Sequence, residues 1–286
     1  MFSSFIDLQD KLHQNICRKR SLVAIGTHDL STIQSPFSYE ALPPEDIKFT
    51  PLKQTQEFNA QDLMEFYKSD VKLKQFLPLI NTSPVFPVIY DANRTVLSLP
   101  PIINGAHSAI SLDTRDIFIE CTATDLHKAS IVLNTMVTMF SGYCTEAFTV
   151  EPVDVTDSLG VTRTWPDLSS RTVEVDMGYI NSRIGTSLQA EAAANLLTKM
   201  CLDTQAVGET LVVKVPPTRS DVLHPCDIME DVAIAYGYNN LVEEVPKTVT
   251  VAKQQPINCF TDLLRAELAM AGFTEVLTFI LGSTQV

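Results

Sequence analysis

The stretch Pro216–Asn240, PPTRSDVLHPCDIMEDVAIAYGYNN, restricts the possible folds of this chain more than any other. Its paired prolines force a break in regular structure, because neither can donate a backbone hydrogen bond. An Arg-Ser-Asp segment follows and leads into an acidic amphipathic helix. Asp227, Glu230 and Asp231 fall at i, i+3 and i+4, so they share one face near the helix start. Asp221 lies in the preceding loop. Four carboxylates converging there repel each other unless a hard cation sits among them, and magnesium, with its preference for oxygen ligands and retained waters, suits such a site. A second reading is equally physical. Asp227 and Glu230 match a capping box, and acids favour a helix N-terminus through the macrodipole. The residues alone leave both readings open.

The chain has 286 residues, enough for two domains of ordinary size. Its net charge of −13 argues against a broad basic nucleic-acid surface, so any RNA contact is local or depends on a partner's positive field. The six cysteines (Cys17, Cys121, Cys144, Cys201, Cys226 and Cys259) form no C-x-x-C pair, which leaves neither a zinc site nor a redox dithiol. Reduced thiols in a cytosolic protein are expected. No apolar run reaches the roughly 18 residues of a membrane span. The opening MFSSFIDLQDKLHQNICRKR lacks the uninterrupted apolar core of a secretory signal.

In chain order, Phe5, Leu8, Leu12 and Ile16 predict an amphipathic helix over residues 3–20, ending in the solvated basic triplet Arg18-Lys19-Arg20. Leu22–Gly26 predicts a strand. His28 and Asp29 follow it, and as neighbours on a strand they point to opposite faces, which favours structural roles. Residues 36–60 suit extended segments and turns, and residues 61–77 a helix through Leu63, Phe66, Leu73 and Leu77. Pro84–Pro101 reads as a hairpin around Asp91-Ala92-Asn93-Arg94. Asn104-Gly105 reads as a turn whose amides can face a ligand.

In the strand Ile117–Thr122, Ile117, Ile119 and Cys121 share one face, and Phe118, Glu120 and Thr122 the other. Glu120 therefore sits mid-strand among apolar neighbours and needs a partner, a solvated pocket or a ligand. Arg115 or Lys128 is the plain structural partner. A helix follows over residues 127–140, then an extended linker from Phe148 to Asp157. Beyond it come a strand over 171–177, a segment Gly178–Gly185 that leads through Ser187 into a helix over 188–201, and a strand over 210–215. A linker spans 245–256, a helix 260–271 ends at Gly272, and GFTEVLTFIL begins a further strand.

Two groups of residues carry a resemblance. Arg219, Asp221, Asp227, Glu230, Asp231, Val232, Ala233, Tyr236, Gly237 and Tyr238 stand in a pattern similar to the small magnesium-binding domain of phenylalanyl-tRNA synthetase beta subunits. Ile103, Asn104, Gly105, Ser108, Ile110, Thr114 and Glu120 resemble the strand-loop-strand of the family's editing domain, in the Asn-Gly form of archaeal and eukaryotic members. The bacterial pocket histidine has no clear match, and His107 is not equated with it.

The resemblance implies an α+β chain in three parts. Residues 1–149 would be a mixed α/β editing-type domain, and 150–245 a small helix-turn-helix-like or winged domain binding magnesium. Residues 246–286 would be a linker and the truncated start of a synthetase-like domain, whose missing strands would leave its apolar helix and strand uncovered. It implies Asp221, Asp227, Glu230 and Asp231 as Mg2+ ligands, near the contact with an alpha subunit, and Glu120 with the Asn104-Gly105 backbone in the editing pocket. By the same resemblance, the chain would support ATP-dependent charging of tRNA(Phe) in a cytosolic assembly of two alpha and two beta subunits. ATP would bind at the alpha subunit. The chain itself would position tRNA and hydrolyse mischarged tyrosyl-tRNA(Phe), with no role on DNA or membranes. A freestanding editing hydrolase and a non-catalytic interaction fragment are the alternatives.

Overall fold

The computed structural model describes residues 1–245 and 248–284; within the stretches read above, Pro246, Lys247, Gln285 and Val286 lie outside the described residues. The chain divides into two compact units, Met1–Asn240 and Leu241–Val286.

The larger unit begins with α1 (Phe2–Gln14), β1 (Val23–Asp29), β2 (Ser38–Leu42), β3 (Lys48–Phe49), β4 (Phe58–Asn59) and α2 (Ala60–Tyr67). Then come β5 (Phe86–Tyr90), β6 (Val96–Leu99), β7 (Ile103–Asn104), β8 (Ile117–Ala123) and α3 (Leu126–Ser141). Strands β2, β5, β6 and β7 form an antiparallel sheet in that order, while β1 and β8 pair as a separate antiparallel ribbon. Each has its own core. Leu63, Val88, Leu99 and Ile102 pack around the four-stranded sheet. Phe5, Val23, Ile25, Val132 and Met136 fill the space between the ribbon and helices α1 and α3.

The ribbon register places Gly26 opposite Glu120 and Ile25 opposite Cys121. Because strand side chains alternate, Val23, Ile25, Ile119 and Cys121 take the helix side, while Gly26, His28 and Glu120 take the other. That other side faces Ser98 of the four-stranded sheet.

After the hairpin of β9 (Val153–Thr156) and β10 (Thr162–Trp165) come β11 (Arg171–Asp176), α4 (Met177–Ile184), α5 (Ala190–Lys199), β12 (Asp203–Val207), β13 (Thr210–Val215) and α6 (Pro225–Tyr236). The sheet is antiparallel, ordered β11-β13-β12, and its core joins Leu211 and Val213 to Ile180, Leu197, Ile228 and Val232 from the three helices.

Several expectations change. The first helix stops at Gln14, and Arg18, Lys19 and Arg20 adopt left-handed φ values of 45, 53 and 64°. This turn sends Arg20 inward rather than into solvent. The helix expected over 61–77 ends at Tyr67, because the Asp70 carboxylate accepts from Lys72 N–H and Leu73 N–H and so stabilises a competing turn. The segment Gly178–Gly185, given no element of its own above, is largely helix α4, capped by Asp176 and ended by Gly185 at φ 81°. The linker expected over 148–157 holds one strand of the β9–β10 hairpin.

In the second unit, α7 (Pro256–Met270) has no buried residue, and Phe260, Leu263, Leu264 and Leu268 are all exposed. Gly272 ends it with φ 89°, while Phe273 N–H donates to Leu268 O and Gly272 N–H to Ala269 O. The described part of GFTEVLTFIL forms no strand. An isolated strand has no ladder partner to satisfy its backbone.

Candidate functional site

Glu120 leaves the middle of β8 and reaches across β1. It fits only because its neighbour is glycine: a Cβ on Gly26 would lie 2.0 Å from Glu120 Oε1. Ser98 Oγ donates to Oε1 at 2.9 Å, whereas Oε2 is buried without a hydrogen-bond partner. Neither Arg115 nor Lys128 pairs with this carboxylate; the hydroxyl of Ser98 takes that place. Behind it, the fully buried His28 has Nδ1 2.8 Å from Ser108 Oγ and Nε2 3.9 Å from Glu120 Oε1. Asp29 turns the other way, accepting from Ser31 and Thr114 hydroxyls, which hold its carboxyl below the ordinary range. The opposed faces of His28 and Asp29 were legible, but the place of His28 beside Glu120 was not.

Glu120 opens onto a small polar cavity of about 20 Å³ lined also by His13, Arg20, Ser98, Pro101 and Asn104. His13, from α1, accepts Ile25 N–H on Nε2 at 2.9 Å. Burial, aided by the charge on Arg20, pushes its pKa down to about 3, so the ring is neutral at ordinary pH. Arg20 donates from one terminal nitrogen to Pro101 O and Ile102 O, at 3.2 and 3.0 Å, and lies 4.4 Å over the Phe76 ring. Burial pulls its pKa down, with Asp10 and Cys17 opposing.

Asn104-Gly105 is not a turn. Asn104 belongs to β7, opposite Ser98, and its carbonyl accepts Leu52 N–H. Gly105 N–H donates to Leu97 O at 2.7 Å, so that amide is already used. Gly105 is required for close backbone approach, since a Cβ there would lie 2.5 Å from Val96 O. The Asn104 residue lines the cavity, its amide nitrogen making a long 3.4 Å bond to Thr27 O.

The acidic cluster also differs from expectation. Asp227 Oδ2 accepts Leu223 N–H and His224 N–H, both at 2.7 Å, and these bonds hold its pKa low. Arg219 forks onto Asp221 and also lies 2.7 Å from the buried Asp231. Its pKa is pushed up, chiefly by the bond to Asp221, and that bond lowers the pKa of Asp221 in turn. Glu230 faces solvent. The four carboxylates therefore do not converge, and no group of three or more acidic, histidine or cysteine side chains among the described residues is placed to hold a metal. Arg219 already supplies the positive charge that the loop and helix need, so this arrangement does not fit a magnesium cage.

Comparison with known proteins places these two regions. Residues 1–141 match the B3/4 domain family, and residues 173–238 match the tRNA synthetase B5 domain. The chain is 60% identical over 287 residues to the cytoplasmic phenylalanine–tRNA ligase beta subunit of Arabidopsis thaliana, covering 99% of this chain and 48% of that protein. The chain belongs to the phenylalanine–tRNA ligase beta-subunit family. The beta subunit of Homo sapiens is 54% identical over 286 residues, covering 99% of this chain and 49% of the human protein. The chain thus spans about half the length of the curated relatives it matches. The crystal structure of an N-terminal fragment of the phenylalanyl-tRNA synthetase beta subunit from Pyrococcus horikoshii is also similar. Its TM-score is 0.74 at 33% identity, over 83% of this chain and 66% of that one. The mixed α+β architecture agrees with that likeness.

Sequence reasoning found Glu120 in this beta-subunit region but missed Gly26, Ser98, His13 and Arg20. Gly26 carried a usable signal, because a glycine inside a strand marks close approach by another group. Ser98 and His13 carried none, since their meaning depends on contacts between distant elements.

Proposed function

We propose that this beta-subunit chain acts within a cytoplasmic phenylalanine–tRNA ligase, where its first domain hydrolyses tyrosyl-tRNA(Phe) made in error. The observation that carries this reading is Glu120. Its carboxylate is fixed by Ser98, given room by Gly26, and left with Oε2 unpaired at the cavity. An unmet buried acceptor is costly, and a ligand hydroxyl meets it. Phenylalanine has no such hydroxyl, and sites built to bind one reject the analogue lacking it by factors of up to about 10⁴–10⁵.

Hydrolysis of the tyrosyl ester adds water to the acyl carbon and breaks the ester C–O bond, releasing tyrosine and tRNA with its terminal hydroxyl restored. The chain's part is to hold the side chain and orient the ester for an ordered water. The Asn104 amide, only weakly engaged with Thr27 O, supplies a donor at the cavity wall. Phenylalanine activation with ATP belongs, in this proposal, to an alpha subunit in an assembly of two alpha and two beta chains. The domain boundaries near 149 and 245 and the positioning of tRNA belong to the same proposal. Magnesium at Asp221, Asp227, Glu230 and Asp231 does not, because Arg219 occupies the electrostatic role.

The test is deacylation of tyrosyl-tRNA(Phe) and phenylalanyl-tRNA(Phe) by the wild-type chain and Glu120→Ala. Selective release of tyrosine, reduced at least ~100-fold in the variant, is expected. Equal rates from both proteins with both substrates would refute the role of Glu120.

A further inference from the structure

A row of side chains on the four-stranded sheet leads from Glu120 to solvent. Directly opposed residues of an antiparallel pair share one face. Asn104 opposes Ser98, Ser98 opposes Ile89 and Ile89 opposes Tyr39, so all four stand on the face from which Ser98 reaches Glu120. Exposure rises along the row: Ser98 is 1% exposed, Ile89 6% and Tyr39, on the edge strand β2, 65%. Neighbouring strands lie about 4.8 Å apart, which puts the Tyr39 backbone roughly 10 Å from that of Ser98. Partial burial and then the charge of Glu120 raise the Tyr39 pKa, so the phenol lies within the field of that carboxylate. Phe37, two residues earlier, stacks on Phe118 of β8 with ring centroids 4.4 Å apart and planes 29° from parallel. Phe118 is two residues from Glu120 and shares its face of the ribbon. The ribbon and the edge strand thus meet through two rings. Tyr39 stands next to them, with no aromatic neighbour on its own ring among the described residues.

We propose that Tyr39, beside the Phe37–Phe118 stack, is a platform on which the 3′-terminal base of a tRNA stacks while its aminoacyl group is held at Glu120. This rests on the editing reading above and adds a place for the nucleotide end of the substrate. In an aminoacyl-tRNA the ribose separates the acyl group from the base, so a base site lies outward of the amino-acid site. The row has that order, with a sealed polar end at Ser98 and Glu120 and an open aromatic end at Tyr39. Charge points the same way. At a net charge of −13 the chain offers no broad basic surface to phosphates, and stacking holds a base without one, because every base has a π-face. The 3′ end of a tRNA is single-stranded, the form of RNA whose bases are free to stack on protein rings. The ring of Tyr39 carries this contact, and its hydroxyl is not needed for it.

The test uses the full chain with two probes that have no ester to hydrolyse: L-tyrosinamide, and adenosine carrying tyrosine through a 3′-amide. Wild type should bind the nucleoside probe about tenfold more tightly, the worth of one stacked base. Tyr39→Ala should erase that ratio by weakening the nucleoside probe alone, and Tyr39→Phe should keep it. The Tyr39 ring-proton resonances of wild type should move upfield with the nucleoside probe and stay still with tyrosinamide. Should Tyr39→Ala fail to fold, the wild-type ratio and these resonances decide. Equal binding of the two probes, a ratio that survives Tyr39→Ala, or a loss in Tyr39→Phe as large as in Tyr39→Ala would overturn the platform and leave the role of Glu120 standing. Adenosine alone binding as tightly as the linked probe would mark a free-nucleotide site and overturn the tRNA assignment. If neither probe binds in a way that depends on Glu120, the editing reading falls and the platform with it.

Discussion

Glu120 and Asp231 are both acidic residues held out of water, and they differ in whether an arginine lies against them. Asp231 sits 5% exposed on α6 with Arg219 2.7 Å away, and Arg219 is anchored in turn on Asp221 and on Met200 O. Glu120 has one oxygen on a serine and the other on nothing. A buried charge with a cation is a structural solution. Each carboxylate leaves one buried oxygen without a hydrogen bond, Asp231 Oδ2 and Glu120 Oε2, but only Asp231 has an arginine against it, and a buried carboxylate with no such cation is a candidate site. The first-domain carboxylate is therefore the one we propose as functional, while the second-domain cluster, which looked the more metal-like in sequence, is held by Arg219.

The largest effect should come from taking the cation away. Arg219→Ala strands Asp231 in the core and should cost about 3–5 kcal/mol in denaturant unfolding. Adding Asp231→Asn to that variant should recover much of the loss. A cost below about 1 kcal/mol would mean that Arg219 is a surface residue in solution, and the contrast between the two carboxylates would collapse.

On the other side of the comparison, Gly26→Ala puts a methyl where Glu120 lies. Overpacking of this kind costs about 1–3 kcal/mol, and the flexible carboxylate should swing off Ser98 to reduce it. Tyrosyl-tRNA(Phe) hydrolysis should then fall to the level of Glu120→Ala. Combining the two substitutions should restore stability without restoring activity. Unchanged hydrolysis in Gly26→Ala would show that Glu120 can work from another position.

What the sequence showed depended on how local the cause was. The alternation around Glu120 and the hairpin at Asp91 rest on neighbours, and both could be read directly. Asp91 Oδ1 accepts Asn93 N–H and Thr95 N–H within the turn itself. The loss of helix after Tyr67 was local too, but the apolar spacing of Leu73 and Leu77 masked the turn that Asp70 closes. The cavity was not legible. His13 and Arg20 come from the first twenty residues, Ser98 from β6 and Glu120 from β8, and only the packing of the ribbon against the sheet assembles them. The acidic cluster misled for a different reason: i, i+3 and i+4 spacing gives a shared face, but Arg219 and two backbone amides divide the carboxylates among themselves.

A smaller effect tests that division. Asp227→Ala removes the acceptor for both Leu223 N–H and His224 N–H at the start of α6, and should cost about 1 kcal/mol. The acid limb of stability should report the same bonds. The folded pKa values of Asp227 and Asp221 are depressed, so their contribution is fully present above the unfolded value near 4 and is lost as pH falls through the folded values. Stability of wild type should therefore decline below about pH 4, and Asp227→Ala should show a shallower decline.

The smallest expected effect is the most discriminating for the second domain. If Arg219 supplies the positive charge, added MgCl2 at constant ionic strength has no preformed set of oxygens to bind, and the melting temperature of the chain should not move. A cation that bound the folded chain at 100 times its Kd would add about 2.7 kcal/mol, which a melting curve detects easily. A rise abolished by Asp221→Asn would mean that the metal displaces Arg219 and draws the carboxylates together. In that case Arg219→Ala should bind magnesium more tightly than wild type, because the competing cation is gone. No rise in either protein leaves Arg219 as the cation of this domain.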